Sequence, residues 1–243
     1  LEMGIDAMKI WPFDFAAEAS SGQYISAADL DKALLPFAKI REAVGDKMDV
    51  MAELHSMWNR PQAVRIARAL EQFDPLWVED PVFMDHLHSL EEVARATKAP
   101  IAVGETRGGR ADFRGLLELE SLSLVIMDIA WCGGLTEAKK VAGMAEAYYT
   151  PMAPHNPQGP LSLAASLQIA GCVPNFLAQE RGDNEYEELL AKPLAPVTDG
   201  HRPLPTDPGL GVTIDEDKLM GMVGEPQVYQ AAYDEDDGSV VDW

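Results

Sequence analysis

A chain of 243 residues, 47% hydrophobic and 24% charged, is long enough to bury a globular core without disulfides or a structural metal. Its 40 acidic against 19 basic residues leave a formal net charge of -21, and such a polyanion repels phosphate backbones and anionic lipid, which sets nucleic-acid and membrane partners aside. The two cysteines, Cys132 and Cys172, make neither a disulfide framework nor a zinc site and fit a reducing cytoplasm, while no apolar run reaches the roughly 18 residues of a membrane helix and no targeting pattern is visible.

In chain order, residues 1–6 read as a helix end running into a strand at 6–10. Further strands are expected at 48–52, 76–78, 101–103, 124–127, 150–153 and 176–178, as short apolar runs. Helical patterns separate them at 30–44, 61–73, 89–97, 135–148 and 161–170. This alternation predicts an α/β fold with a parallel sheet. The first unit is the longest, and its extra length is a loop at 12–25, rich in Ala, Ser and Gly, of the kind that closes over ligands. After the last strand come a short helix near 185–191, a Pro-rich return at 193–211 and an acidic tail within 225–243, expected to be disordered. The barrel unit is expected to span 1–224.

A polar or ionisable residue ends each strand: Glu53, Glu79, Glu105, Asp128, His155 and Glu180, spaced 26, 26, 23, 27 and 25 residues apart. That interval is the length of one strand, one helix and two loops. A (β/α) barrel puts all strand ends on one rim, so these six side chains are expected to converge at its C-terminal face. Seven strands are visible where a closed barrel needs eight, so the first strand is expected to lie before Leu1 or to be replaced by another segment.

Three carboxylates at consecutive strand ends, Glu53, Glu79 and Glu105, suit a hard cation and read as a Mg2+ site. Asp128 and His155 end adjacent strands and read as a dyad, the aspartate fixing the histidine tautomer so that its other nitrogen acts as general base. His55, two residues beyond Glu53, would face the same side by the strand period of two and could protonate a leaving group. His86 and His88 read as surface residues, and His201 falls in a Pro-rich loop with no partner in view.

These residues and motifs resemble the enolase superfamily, and within it the mandelate racemase subgroup. The carriers are Trp77-Val78-Glu79-Asp80-Pro81, Gly104-Glu105-Thr106-Arg107, Asp128 with Trp131-Cys132-Gly133-Gly134, Pro154-His155-Asn156 through Gly159-Pro160, Gln179-Glu180-Arg181 and Pro208-Gly209-Leu210-Gly211. The resemblance implies a modified (β/α)7β barrel, lacking here its first strand and the N-terminal α+β capping domain. It implies Mg2+ on Glu53, Glu79 and Glu105, and loss of the proton next to a substrate carboxylate through an enediolate. Glu180 matches the last-strand acid that bonds the substrate, and Lys9 the first lysine of a Lys-x-Lys pair whose second member is replaced by Trp11.

With one base fewer than a two-base racemase, and with Glu53-x-His55, the pattern is similar to acid-sugar dehydratases. The expected reaction is dehydration of an aldonate or aldarate to a 2-keto-3-deoxy acid. His155 would be the base, Asp128 its orienter and His55 the acid, with Lys9 and Glu180 holding the carboxylate end. Epimerisation or cycloisomerisation by the same chemistry, and an inactive truncated fragment, are the alternatives. The expected partner is a small carboxylate substrate, in a full-length protein that forms a homo-oligomer.

Overall fold

The computed structural model describes residues 1–182, 186–224, 232, 233 and 237–241. Five parallel strands stand side by side in chain order: β1 (Ala7–Ile10), β2 (Asp49–Glu53), β3 (Val78–Glu79), β4 (Ile101–Val103) and β5 (Leu124–Val125). Two further staves follow through isolated parallel bridges, the first by Val125 to Met152 and Asp128 to His155, the second by Met152 to Phe176. Their backbone bonds continue the ladder, with Ala153 N donating to Val125 O at 3.0 Å and Leu177 N to Met152 O at 2.8 Å. The strands expected at 150–153 and 176–178 are thus staves of the same wall, too short to form regular ladders.

Helices α1 (Asp14–Glu18), α2 (Ala27–Val44), α3 (Arg60–Leu70), α4 (Leu87–Ala96), α5 (Gly109–Leu117), α6 (Leu135–Ala147) and α7 (Pro160–Ala170) connect the staves, and α8 (Glu216–Gly221) follows the return segment. The chain is an α/β barrel of the expected class. Local chemistry sets the helix starts. Ser26 accepts from Asp29 N at α2, Asn59 accepts from Gln62 N at α3, and Pro61 and Pro160 occupy first-turn positions of α3 and α7. Helix α5 escapes the sequence pattern because Gly108, Gly109 and Gly115 dilute it, yet Phe113, Leu116 and Leu117 bury one face.

Three expectations are corrected. Residues 1–6 form turns, with Gly4 N bonded to Leu1 O, and no helix end. The segment 12–25 is no open loop: it contains α1, and Phe13, Ala16, Ala17 and Ile25 are buried in the core, which fixes it. The helix near 185–191 is a single 3-10 turn, Glu187–Leu189, within the described residues. The expected disordered tail falls largely outside the described residues. Of its described parts, β6 (Ala232–Tyr233) pairs antiparallel with β7 (Val240–Val241).

The period of two divides every stave into two faces. Val50, Ala52, Val78, Ile101, Val103 and Val125 point out and join the helices in one large core. Met51, Trp77, Ala102, Leu124, Ile126 and Ala153 point in and form a separate packed layer that floors the barrel. The next inward positions toward the C-terminal rim are Glu53, Glu79, Asp128 and His155, while on β4 that position is Gly104, whose turn precedes Glu105. Among the described residues no backbone pairing joins β1 to the Phe176 stave, and a cavity of about 1940 Å³ opens there, lined by Ala7, Lys9, Phe176, Ala178 and Glu180. Among the described residues no helix is long and apolar enough to cross a membrane.

Candidate active site

The strand ends converge as the spacing requires. Lys9, His55, Glu79, Glu105, His155 and Glu180 line the cavity. Glu53 and Asp128 are buried behind that lining, and ion pairs tie them to Lys9 and His155. One carboxylate oxygen from each of Glu53, Glu79 and Glu105 lies within 4.8 Å of the others. Three carboxylates this close, two of them fully buried, are the donor set a hard divalent cation takes, and they repel one another without positive charge. The residues therefore fit such an ion. Burial first, then Glu53, pushes the Glu79 carboxyl up to about 8 against the pull of Lys9.

Lys9 Nζ lies 2.7 Å from Glu79 Oε1, 2.7 Å from Glu180 Oε1 and 3.1 Å from Glu53 Oε2. Burial alone would lower its pKa, but Glu79, Glu53 and Glu180 outweigh it and hold the ammonium well above its ordinary value. Lys9 is therefore a fixed positive charge between the metal-type carboxylates and Glu180. The same pairing with Lys9, together with His155 and the backbone N–H of Asn156, outweighs burial and lowers the Glu180 carboxyl.

Two backbone features aim the carboxylates. Glu53 Oε1 accepts from Leu54 N at 2.9 Å and His55 N at 2.7 Å, which pins it at the strand exit. Gly104, at φ +132, sits so close to Phe113 and Ile126 that an added Cβ would lie 2.9 Å from Phe113 Cε1 and 3.1 Å from Ile126 O. The turn that presents Glu105 thus demands glycine.

His155 Nδ1 is 2.9 Å from Asp128 Oδ2, and its Nε2 is 3.2 Å from Glu105 Oε2. Asp128 is fully buried, and its Oδ1 accepts from Ala130 N and Trp131 N at 2.7 and 3.1 Å, so the ring is held by a carboxylate that is itself held. Burial lowers the His155 pKa, but the Asp128 bond and the charges of Glu105 and Glu180 prevail and raise it.

His55 reaches the site by another route than the strand period. Strand β2 stops at Glu53, and His55 and Ser56 take φ +50 and +59, so a left-handed turn carries the ring. Its Nδ1 is 2.9 Å from Asp14 Oδ2, and Trp11 meets it edge-on with ring centroids 6.1 Å apart. Burial lowers its pKa, but Asp14, Glu53 and Glu105 raise it overall.

Sequence reasoning passed over several contributors. Trp77 Nε1 donates to Glu79 Oε2 at 2.8 Å, and the signal was available, since the two residues share one strand face. Asp80 is fully buried with Oδ1 accepting from Gly104 N at 3.3 Å; burial first, then Glu53, Glu105 and Glu79, raise its carboxyl well above the ordinary value. Asp14 lies 41 residues from His55, a pairing no local pattern encodes. His86, by contrast, caps α4 through Nδ1, away from the cavity lining.

Comparison with known proteins matches residues 1–218 to the family described as enolase C-terminal domain-like. The chain is 34% identical over 227 residues to a D-galactonate dehydratase of Xanthomonas euvesicatoria pv. vesicatoria, covering 90% of this chain and 59% of that protein. It is 33% identical over 226 residues to a D-xylonate dehydratase of Haloferax volcanii, covering 90% of this chain and 54% of that protein. Among solved structures, an enolase of the mandelate racemase subgroup from Agrobacterium tumefaciens superposes with a TM-score of 0.86 at 49% identity, over 90% of this chain and 61% of that one. The chain thus spans somewhat over half the length of each of these relatives.

Proposed function

The chain belongs to the enolase C-terminal domain-like family, and from that premise we propose that its rim carries out the dehydration of a sugar acid, an aldonate or aldarate, to a 2-keto-3-deoxy acid. The observation that carries the reading is that His155 and His55, each held at Nδ1 by an aspartate, line one cavity with the acidic cluster. Removing water from neighbouring carbons needs one group to take the α-proton and another to give a proton to the leaving hydroxyl. The two relatives named as dehydratases of D-galactonate and D-xylonate point to the same substrate class.

Glu53, Glu79 and Glu105 would hold the divalent cation, which we take to be Mg2+. When bound, it would supply positive charge opposite the substrate carboxylate, where negative charge grows as the proton leaves. The chain's own residues do the rest. His155 takes the α-proton at Nε2 while Asp128 keeps Nδ1 and the ring plane fixed. His55 gives a proton to the β-hydroxyl, which departs as water. Lys9 and Glu180 border the carboxylate end, the first as fixed positive charge and the second as hydrogen-bond acceptor for substrate hydroxyls. Epimerisation through Lys9 is disfavoured because its ammonium is committed to three carboxylates. The reducing cytoplasm is the compartment we assign, with both cysteines free.

The test is Mg2+-dependent formation of 2-keto-3-deoxy acids from a panel of aldonates and aldarates that includes D-galactonate and D-xylonate. It is run on this chain and on one extended to the length of its relatives. Product from either supports the reading. Solvent deuterium in recovered substrate of inverted configuration, without keto acid, would replace dehydration by epimerisation.

A further inference from the structure

Asp14 lies outside every strand-end motif, yet it makes the same kind of contact as Asp128. We propose that Asp14 is the positioning residue of a second histidine-aspartate dyad, holding His55 so that Nε2 delivers the proton to the departing hydroxyl. This deepens the dehydration reading and rests on it.

The geometry is specific. Asp14 Oδ2 is 2.9 Å from His55 Nδ1. A carboxylate can only accept, so in the neutral ring Nδ1 carries the hydrogen; in the imidazolium, the form that acts as acid, the second hydrogen sits on Nε2, the nitrogen left to face a ligand. Asp14 opens α1, where the ordinary role of an acid is to meet free backbone N–H groups. It does not do so here: Oδ2 goes to the ring and Oδ1 meets no backbone N–H. Its second oxygen, Oδ1, is buried without a hydrogen-bond partner, an unfavourable placement that helix capping would not require.

Both partners are held. The residues around Asp14, Phe13 just before α1 and Ala16 and Ala17 on it, are buried in the core. His55 is carried by two successive left-handed residues, itself and Ser56, whose N–H groups are tied to Glu53 Oε1 and Asp80 O at 2.7 Å each. Such backbone costs about 1 kcal/mol or more per residue and persists only where surrounding contacts enforce it. Trp11, edge-on to the ring, limits its swing on another side.

In the elimination the α-proton goes to His155, and the C–H bonding pair it leaves behind becomes the carbon-carbon double bond. The C–O bond breaks with its pair on oxygen, and the proton from His55 Nε2 completes water. The enol then tautomerises to the keto acid. One proton is taken and one given. Without Asp14 nothing holds Nδ1, so the His55 ring can present either nitrogen, whereas the His155 step is untouched.

The experiment compares wild type, Asp14→Ala and Asp14→Asn, reading keto-acid formation and solvent deuterium in recovered sugar acid, with the best substrate of the panel above. Asp14→Ala should form product about 100-fold more slowly with KM little changed. Its recovered substrate should gain deuterium, because abstraction by His155 continues while expulsion stalls. Asp14→Asn, which still offers an oxygen to Nδ1–H, should recover most of the rate. Independently of turnover, nitrogen-15 NMR of the histidine rings should show hydrogen on His55 Nδ1 in wild type and a shift toward Nε2 in Asp14→Ala. Equal product rates in wild type and Asp14→Ala, parallel loss of exchange and product, or an unchanged His55 tautomer would each overturn the proposal. A wild type that neither exchanges nor eliminates would instead remove the dehydration reading, and this role with it.

Discussion

Trp77 and Glu79 are joined within one strand face: the indole Nε1 donates a 2.8 Å hydrogen bond to Glu79 Oε2. Trp77 belongs to the packed layer that floors the barrel, so that layer fixes one of the three clustered carboxylates directly. Replacing Trp77 by Phe keeps apolar volume and removes the donor. Divalent-ion affinity by titration calorimetry is expected to fall about tenfold or more, the usual cost of losing a group that orients a ligand. An unchanged affinity with an unchanged fold would show that Glu79 needs no such support.

Glu79 also makes stability depend on pH. Its carboxyl is raised to about 8, by burial first and then by Glu53, so the folded state holds this proton more tightly than the unfolded chain does. The stability it contributes is complete below its unfolded value of about 4.3 and is lost as pH rises through 8. Without divalent ion, Tm is expected to fall between about pH 5 and about pH 8, and millimolar Mg2+ should restore it at the upper end. Differential scanning fluorimetry with Glu79→Gln as the control checks this, since the variant should lose most of the slope.

His155→Asn leaves the Asp128 contact possible and removes the proposed base. Exchange of the substrate α-proton with deuterated solvent is expected to drop by about 100-fold to 10,000-fold while circular dichroism and Tm stay near wild type. Exchange at the wild-type rate would move the base elsewhere.

Gly104→Ala tests the turn before Glu105. With φ at +132 and Phe113 Cε1 2.9 Å from the added Cβ, the substitution is expected to cost about 2 kcal/mol and to weaken divalent-ion binding as well. Urea denaturation reads the first effect and calorimetry the second. A neutral result in both would mean that the β4 exit relaxes freely.

Much of this protein is legible in its sequence, because the information is periodic. One strand, one helix and two loops take up nearly the same length each time, so the residue at each strand exit recurs at that interval, and barrel closure brings Glu53, Glu79, Glu105, Asp128, His155 and Glu180 to one rim. The staves at Met152 and Phe176 are also visible as apolar runs, although they pair only through isolated bridges. Helix α5 was not, because three glycines blur its pattern while tertiary burial of Phe113, Leu116 and Leu117 stabilises it.

The sequence by itself therefore determined the barrel class, the ring of acids and the Asp128 to His155 pairing, since each follows from repeats that local periodicity records. The tertiary structure alone decided that Lys9 is bound by three carboxylates, that segment 12–25 is anchored by α1, and that His55 rides a left-handed turn to meet Asp14. Those facts depend on contacts between residues tens of positions apart. The packing of the whole wall fixes such contacts, and no window along the chain contains both partners.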